Sequence, residues 1–401
     1  MYEFFTFLQS KLAFVADWPL ASFAVLVIVY GVFAVVFASL FAGVTSWYER
    51  RVAARMQCRI GPNRVGPQGA LQWLADGLKV FLKEDLIPRD ADNILFRLSP
   101  YPVFAGVFCT WVVLPFSPWI VGADLNVGIV FLVAVTALVV AGILMGGWAS
   151  NSKWALLGGI RSAAQMVSYE IPAILALLTV VVSAGTLSLQ GLIAFQGGSP
   201  WNWAVFHSPA AFLGFFIYLT AALAEGNRTP FDLPEAESEL VAGYNTEYSG
   251  MRFVWFLFSE WANLYVIGGI ITAVFLGGWR IPGITVEQQT GSILLQFAGA
   301  CIFLIKSLVL VNVVIWLRWT LPRLRVDQLM SMCWKYLVPI GILLLAVAVV
   351  WVKISVEYPG FVCVTKVILT ACGGGLVLLM LWRSWYNLKS GHDRVYLKFM
   401  V

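Results

Sequence analysis

Long apolar blocks separated by charged segments dominate the chain. They cover residues 20 to 46, 100 to 121, 126 to 147, 163 to 188, 206 to 224, 256 to 279, 291 to 317, 336 to 353 and 361 to 382. Each comes close to the roughly 20 residues that a helix needs to cross hydrocarbon. Alternating strand patterns of the kind a barrel needs are absent. The pattern predicts an all-α, polytopic membrane protein with about nine transmembrane helices. One further periodic stretch, residues 68 to 83, places Leu71, Leu74, Leu78 and Phe81 or Leu82 on one stripe, with Gln72, Asp76, Lys79 and Lys83 elsewhere. It predicts an amphipathic helix lying in the interface. Such a helix commonly only anchors its loop. Its setting between Arg64 and Asp85 also suits the lip of an opening for an amphiphilic ligand.

Composition agrees with the pattern: 60% of the 401 residues are hydrophobic and 12% are charged, against about 25% charged in a soluble domain. The N-terminus lacks the features of a removable signal peptide, so the first span is expected to be retained. Of 26 Lys and Arg residues, 21 fall in the loops after spans 1, 3, 5 and 7 and in the C-terminal tail. The positive-inside rule then places the N-terminus outside and the tail from 383 to 401 in the cytoplasm, which requires an odd number of spans. The net charge of +5 therefore reads as topology and lipid contact, not nucleic-acid binding. No internal repeat, low-complexity tract or soluble domain interrupts the chain, and residues 1–401 read as one membrane domain. Six scattered cysteines without a CxxC pair suggest neither zinc nor an iron–sulfur cluster, and two histidines are too few for a haem of the b type. No metal or redox centre is expected in this chain.

The loop after span 5 holds Glu225, Asp232, Glu235, Glu237, Glu239 and Glu247 against only Arg228 and Arg252. This excess runs against the basic trend of the other loops on that face. Acids near a helix start beside Pro234 would explain two or three of them, but not six. Crowded carboxylates partly screened from water repel one another, so some should hold protons near neutral pH. A cation site or a basic partner remain alternatives. Glu170 in span 4 and Glu260 in span 6 extend the acids into the bilayer, where an ionisable group is costly unless it faces protein or water. Pro172 removes the helix hydrogen bond to the carbonyl of Ser168, next to Glu170. Gln165, Tyr169 and Asn263 could complete a polar path. Lys306 is a further charge within span 7, read equally as a structural ion pair with one of these acids or as part of the path.

A second constellation is basic. Arg50, Arg51, Arg55, Arg59 and Arg64 follow span 1, and Arg318, Arg323 and Arg325 follow span 7. Topology and lipid headgroups account for most of them. The GPN and GP turns around Asn63 imply a shaped loop, which suits docking onto another protein.

The strings ERRVAARMQCRIGPNRVGPQG, LADGLKVFLKED, RSAAQMVSYEIP, AEGNRTPFDLPEAESELVAGYNTEY and RWTLPRLRVDQLM closely resemble the membrane subunit that forms the quinone chamber of respiratory complex I. That family is called subunit 1 in mitochondria and the H subunit in bacteria. The resemblance covers about residues 20 to 355, an eight-span core, and the span at 361 to 382 is an addition to it. It implies a subunit of a proton-pumping NADH:quinone oxidoreductase in a bacterial inner membrane. Its neighbours would be hydrophilic-arm subunits carrying flavin and iron–sulfur clusters, and small and antiporter-like membrane subunits. Quinone would be the substrate. By the same resemblance Glu49, Arg50, Asp76, Lys79, Arg228 and Phe231 would line the quinone chamber. Glu170, Glu225, Asp232, Glu235, Glu237, Glu239, Glu247, Glu260 and Lys306 would couple it to protons. Arg59, Asn63, Arg64, Arg318, Arg323 and Arg325 would meet other subunits. The rival readings are the related subunit of a membrane-bound hydrogenase and an independent proton-coupled transporter, for which inverted repeats would be expected.

Overall fold

The structure is a computed structural model that describes residues 19–233 and 237–398. Among these residues the chain forms helices and no strands: α1 (Pro19–Met56), α2 (Gln72–Phe81), α3 (Asn93–Leu98), α4 (Pro100–Val113), α5 (Gly128–Ala149), α6 (Lys153–Ala184), α7 (Leu189–Phe195), α8 (Pro209–Glu225), α9 (Glu237–Leu240), α10 (Gly250–Phe275), α11 (Val286–Thr290), α12 (Ile293–Thr320), α13 (Val326–Ser331), α14 (Val338–Glu357) and α15 (Pro359–Lys398). A π-helical turn, Met332–Leu337, joins α13 to α14. Seven of the helical segments are long and apolar enough to cross a membrane, so the chain is a polytopic all-α membrane protein.

Two of the nine apolar blocks differ from their expected form. The block at 100 to 121 is helical only to Val113, because the chain turns at Leu114 into extended backbone. Its crossing length is recovered from α3. Ser99 between the two helices keeps helical dihedrals and donates its N–H to the Leu95 carbonyl at 2.9 Å, so Asn93 to Val113 rises about 31 Å. Helix α8 has 17 residues, about 26 Å, and starts abruptly because Pro209 follows Ser208, whose hydroxyl accepts from the Ala211 N–H at 2.9 Å. Elsewhere helices outrun the apolar blocks. Helix α1 continues to Met56, so the arginines at 50, 51 and 55 project from a rigid helix and not from a loop. Helix α15 has 40 residues, about 60 Å, twice the hydrocarbon thickness.

The bundle has two central helices. Helix α6 packs against α5, α8 and α14, and α10 packs against α4, α12 and α1. Between α10, α1 and α12 lies an aromatic core in which the Tyr265 ring stacks on Trp111 at 5.0 Å and Phe116 at 6.1 Å and meets Phe41 edge-on at 4.8 Å. Helix α2 matches the interfacial reading. It has no buried residue, and Leu74, Leu78 and Phe81 are exposed, while the Trp73 ring sits on Gly43 of α1, where any Cβ would intrude.

Pro172 lies inside α6 and leaves the Ser168 carbonyl without its helical donor. The thiol of Cys333, in the π turn, donates to that carbonyl at 3.0 Å. One turn of α6 thus obtains its missing donor from the distant segment that carries α14, and the Tyr169 hydroxyl donates to the Leu329 carbonyl at 2.9 Å beside it. The polar group exposed by the proline is satisfied.

At Gly158 an added Cβ would stand 2.6 Å from the Gly243 Cα, so α6 and the chain before α10 touch backbone to backbone. Gly158→Ala should therefore lower the thermal unfolding midpoint, by about 1–3 kcal/mol of stability. Gly77→Ala, whose Cβ meets nothing within 4 Å, should leave the midpoint unchanged or raise it. Equal midpoints for both variants would show that the contact at Gly158 yields without cost.

Candidate functional site

The charged residues of one face gather into three groups. The first is buried. Glu49, near the end of α1, is 4% exposed, and its Oε1 accepts from Arg318 Nη1 at 2.6 Å and from the Trp319 indole at 3.3 Å. Its Oε2 faces Arg228 Nη1 at 3.9 Å. Arg228, itself 4% exposed, lies flat over the Trp261 ring of α10 at 4.6 Å, which spreads its charge over an aromatic face. Three segments far apart in the chain thus meet on one carboxylate. A buried carboxylate without such partners would take up a proton instead.

The second group joins α1 to α2. Arg50 binds Asp76 at 2.5 Å, and Gln72 donates to the other Asp76 oxygen at 2.9 Å. Partial burial would raise the Asp76 carboxyl, but the hydrogen bonds from Arg50 and Gln72 and the charges of Arg50 and Lys79 outweigh it and hold it below the usual carboxylate range. Lys79 is exposed on the same helix.

The third group runs inward from the acidic loop. Asp232 is 7% exposed and pairs with Arg323 at 3.2 Å, while the Leu324 N–H donates to the Pro230 carbonyl at 3.1 Å. Phe231 is buried against Tyr169, with ring centroids 5.6 Å apart. The Gln165 amide on α6 donates to the carbonyls of Phe231 at 2.6 Å and Ala224 at 2.7 Å, pinning the turn between α8 and Asp232. Glu225 closes α8 and borders two small cavities, of about 20 and 10 Å³, whose walls are mainly apolar (Val107, Val139 and Met166 among them) with polar groups from Glu260, Asn263, Tyr244, Asn227, Thr110 and Thr136. Each is about the size that admits one water molecule. The Tyr244 hydroxyl donates to Glu260 at 3.1 Å, and Glu170 lies within electrostatic reach of Glu225.

Glu49 and Arg228 are thus brought together, as are Arg50 with Asp76, and Glu225 with Glu260. Among the arginines expected to dock other subunits, Arg318 is turned inward onto Glu49 and Arg323 is committed to Asp232, whereas Arg59, Asn63, Arg64 and Arg325 are exposed. Glu239 is exposed and bridges to Arg161 at 2.7 Å, and Glu247 is half-buried on the turn before α10. Glu235 lies outside the described residues, as does the side chain of Glu237. Lys306 stands apart. The ion pair considered for it is absent among the described residues, and its ammonium instead donates to the carbonyls of Leu276 at 2.7 Å and Gly278 at 3.0 Å, with the Trp203 ring 4.8 Å away. It closes the end of α10, sixteen residues beyond Glu260 and roughly 24 Å along the helix. Trp261, Trp319 and Tyr244 were not singled out from the sequence. Aromatic residues are common throughout this chain, and only their geometry against charge distinguishes them.

A site that gathers buried charge, an interfacial helix and carboxylates leading into a helical bundle belongs to a membrane subunit of an energy-converting assembly. Similarity to known proteins agrees. The model of the NADH dehydrogenase family matches residues 28–349. The H subunit of the NADH-quinone oxidoreductase of Anaeromyxobacter dehalogenans is 50% identical over 372 residues, 90% of each chain. That of Chlorobaculum tepidum is 46% identical over 348 residues, 85% of this chain and 92% of its own. That of Brevibacillus brevis is 45% identical over 306 residues, 76% of this chain and 87% of its own. The chain belongs to the NADH dehydrogenase family. The first of these matches takes in more than residues 20 to 355 could supply, so sequence outside the eight-span core is shared with that relative.

Glu49→Gln leaves two partly or fully buried guanidiniums facing an amide and should destabilise the protein by about 3–5 kcal/mol. Adding Arg318→Gln should cost less than the sum of the single changes, and strict additivity in thermal midpoints would rule out the shared cluster. For Asp76, a lowered folded value means that the Arg50 contact contributes above the ordinary carboxylate range and is lost only as pH falls through the lowered value. Amide exchange protection in α2 should therefore be the same from about pH 8 to about pH 5 and fall only below about pH 4.

Proposed function

We propose that this chain is the membrane subunit of a proton-pumping NADH:quinone oxidoreductase that forms the quinone passage and the first stretch of the proton-coupling path. Family membership supports the assembly, and the observation that carries the finer reading is the water-sized cavity, mainly apolar in its walls, that Glu225 and Glu260 share. It continues inward from the turn that bears Arg228, Phe231 and Asp232. Helix α2, with its exposed leucines and the Arg50–Asp76 pair at its back, forms the lip through which an amphiphilic quinone enters from the lipid. Exposed Arg59, Asn63, Arg64 and Arg325 face the hydrophilic subunits that hold the redox centres, which this chain does not supply. The face bearing these groups is cytoplasmic, in a bacterial inner membrane.

The chain's own work is electrostatic. Arg228 is held over Trp261 and opposite Glu49, so it presents a fixed positive charge near the quinone headgroup, where negative charge forms on reduction. Gln165 ties the carbonyl of Phe231 to that of Ala224, one residue before Glu225, so a shift of the turn beside the quinone moves the first carboxylate of the path. Glu225 can then exchange a proton with Glu260 through one water, which Asn263 in the cavity wall would orient, with Tyr244 donating to the Glu260 oxygen. Glu170 adds a further carboxylate within reach of Glu225. Lys306, on α12, meets the far end of α10, too far from Glu260 to share in this exchange, and acts there as a helix cap.

The reading is tested in proteoliposomes containing the whole complex. Glu225→Gln and Glu170→Gln should lower quinone-coupled proton uptake by at least about tenfold, and Asp232→Asn should lower it as well. Full pumping in both Glu170→Gln and Asp232→Asn sinks the coupling path. Isolation of the tagged chain in mild detergent should bring down iron–sulfur and antiporter-like subunits with quinone reductase activity. Hydrogen evolution in place of quinone reduction would reassign the assembly.

A further inference from the structure

On the face opposite the carboxylates the helices leave a cavity of about 870 Å³. Its apolar wall includes Val27 and Tyr30 of α1 with Val112 of α4 and Val121 from the chain after it. Counting roughly 20 residues back from Glu49 along α1, one span, places Val27 and Tyr30 at the far edge of the hydrocarbon. Beside the slot, α1 carries Ile28, Val32 and Val36, which are 64%, 57% and 51% exposed in this chain. The slot therefore borders exposed apolar surface at headgroup height.

The polar end of the cavity is built differently. Asp124 lines it. One Asp124 oxygen accepts from the Ser188 hydroxyl at 2.8 Å, and the other has no hydrogen-bond partner among the described residues. Gln190, also in the wall, is fully engaged: its amide donates to the Ser117 carbonyl at 3.2 Å and its oxygen accepts from the Trp279 indole at 3.1 Å. It shapes the wall and offers nothing to a ligand. Arg280 stands at the rim, where its Nη1 donates to the carbonyl of Ala194, a lining residue, at 3.3 Å. Its Nε is enclosed, with no partner among the described residues, so Arg280 acts on the cavity through its charge and not through a free N–H. An acid with a spare oxygen thus lines one end of an apolar slot, with a guanidinium charge held beside it on the Ala194 carbonyl.

We propose that this groove seats an aminophospholipid from the leaflet on that face, with its ammonium on Asp124, its phosphate toward Arg280 and one acyl chain along Val27, Tyr30 and Val121. The charge order selects this occupant. A phospholipid without the amine would bring only negative charge to Asp124, and a neutral isoprenoid would leave both charges without use. The bound lipid bridges α1, whose flank has few protein neighbours, to the segment between α4 and α5, and so steadies the helix that carries Glu49 at its other end.

The test uses the intact membrane complex in nanodiscs with trace photoactivatable phosphatidylethanolamine or phosphatidylglycerol, the crosslinks being mapped by peptide mass spectrometry. The ethanolamine probe should label peptides around residues 27–31 and 112–124 more strongly than the glycerol probe. Asp124→Asn should cut that labelling by at least about fivefold with quinone reductase activity retained. Gly31 has no heavy atom within 4 Å of a built Cβ and lines the cavity, so Gly31→Phe should fill the slot and abolish labelling. Equal labelling by both probes, labelling unchanged in Asp124→Asn, or no labelling of these peptides because another part of the assembly fills the groove would each overturn the assignment.

Discussion

Glu49, at the end of the first long helix, accepts from Arg318 of α12 and faces Arg228 from the loop after α8. An ionised group with so little contact with water is tolerated only where opposite charge and hydrogen bonds replace hydration. That requirement fixes the ends of α1 and α12 and the loop after α8 relative to one another. It also sets Arg228 over Trp261 of α10, one of the two central helices. The buried arginine and the turn that continues from it to Asp232 take their positions from this meeting.

The second constraint is the backbone of α6. A proline in a membrane helix frees a carbonyl that lipid cannot satisfy, and the chain answers with Cys333 at the π turn. The same stretch of α6 offers Gln165 to the Phe231 turn, Tyr169 to Phe231 and Leu329, and Glu170 to the neighbourhood of Glu225. One irregular helical segment therefore touches the Phe231 turn, the acids and the connection to α14. This is a reason for a helix break at this position that local packing alone would not give.

Much of the fold was legible because the hydrophobic period of a membrane helix is a strong signal. The spans, the interfacial helix around Leu74 and Leu78 and the acidic loop could be read directly. Lengths were less secure, since hydropathy measures apolarity and not helicity. The block from 100 to 121 stays apolar past the point where its backbone leaves the helix at Leu114, and the arginines after residue 47 are polar but remain helical. Of the site, Glu49, Arg228, Glu225 and Glu260 could be named, yet their pairings could not. Tyr244, Trp261 and Trp319 gave no local signal.

The sequence by itself determined the class of structure, an all-α membrane bundle with carboxylates concentrated at one face, because span length and charge placement depend only on the chemistry of neighbouring residues and the bilayer. It also determined the family, through motifs that are continuous in the chain. Tertiary structure decided which charges are spent within the protein. Arg318 turns inward to Glu49 while Arg325 stays outside, and Lys306 caps α10 where an acid had been considered as its partner. Such choices arise from distances between residues up to 269 positions apart, and no local pattern encodes which of several arginines will find a buried carboxylate.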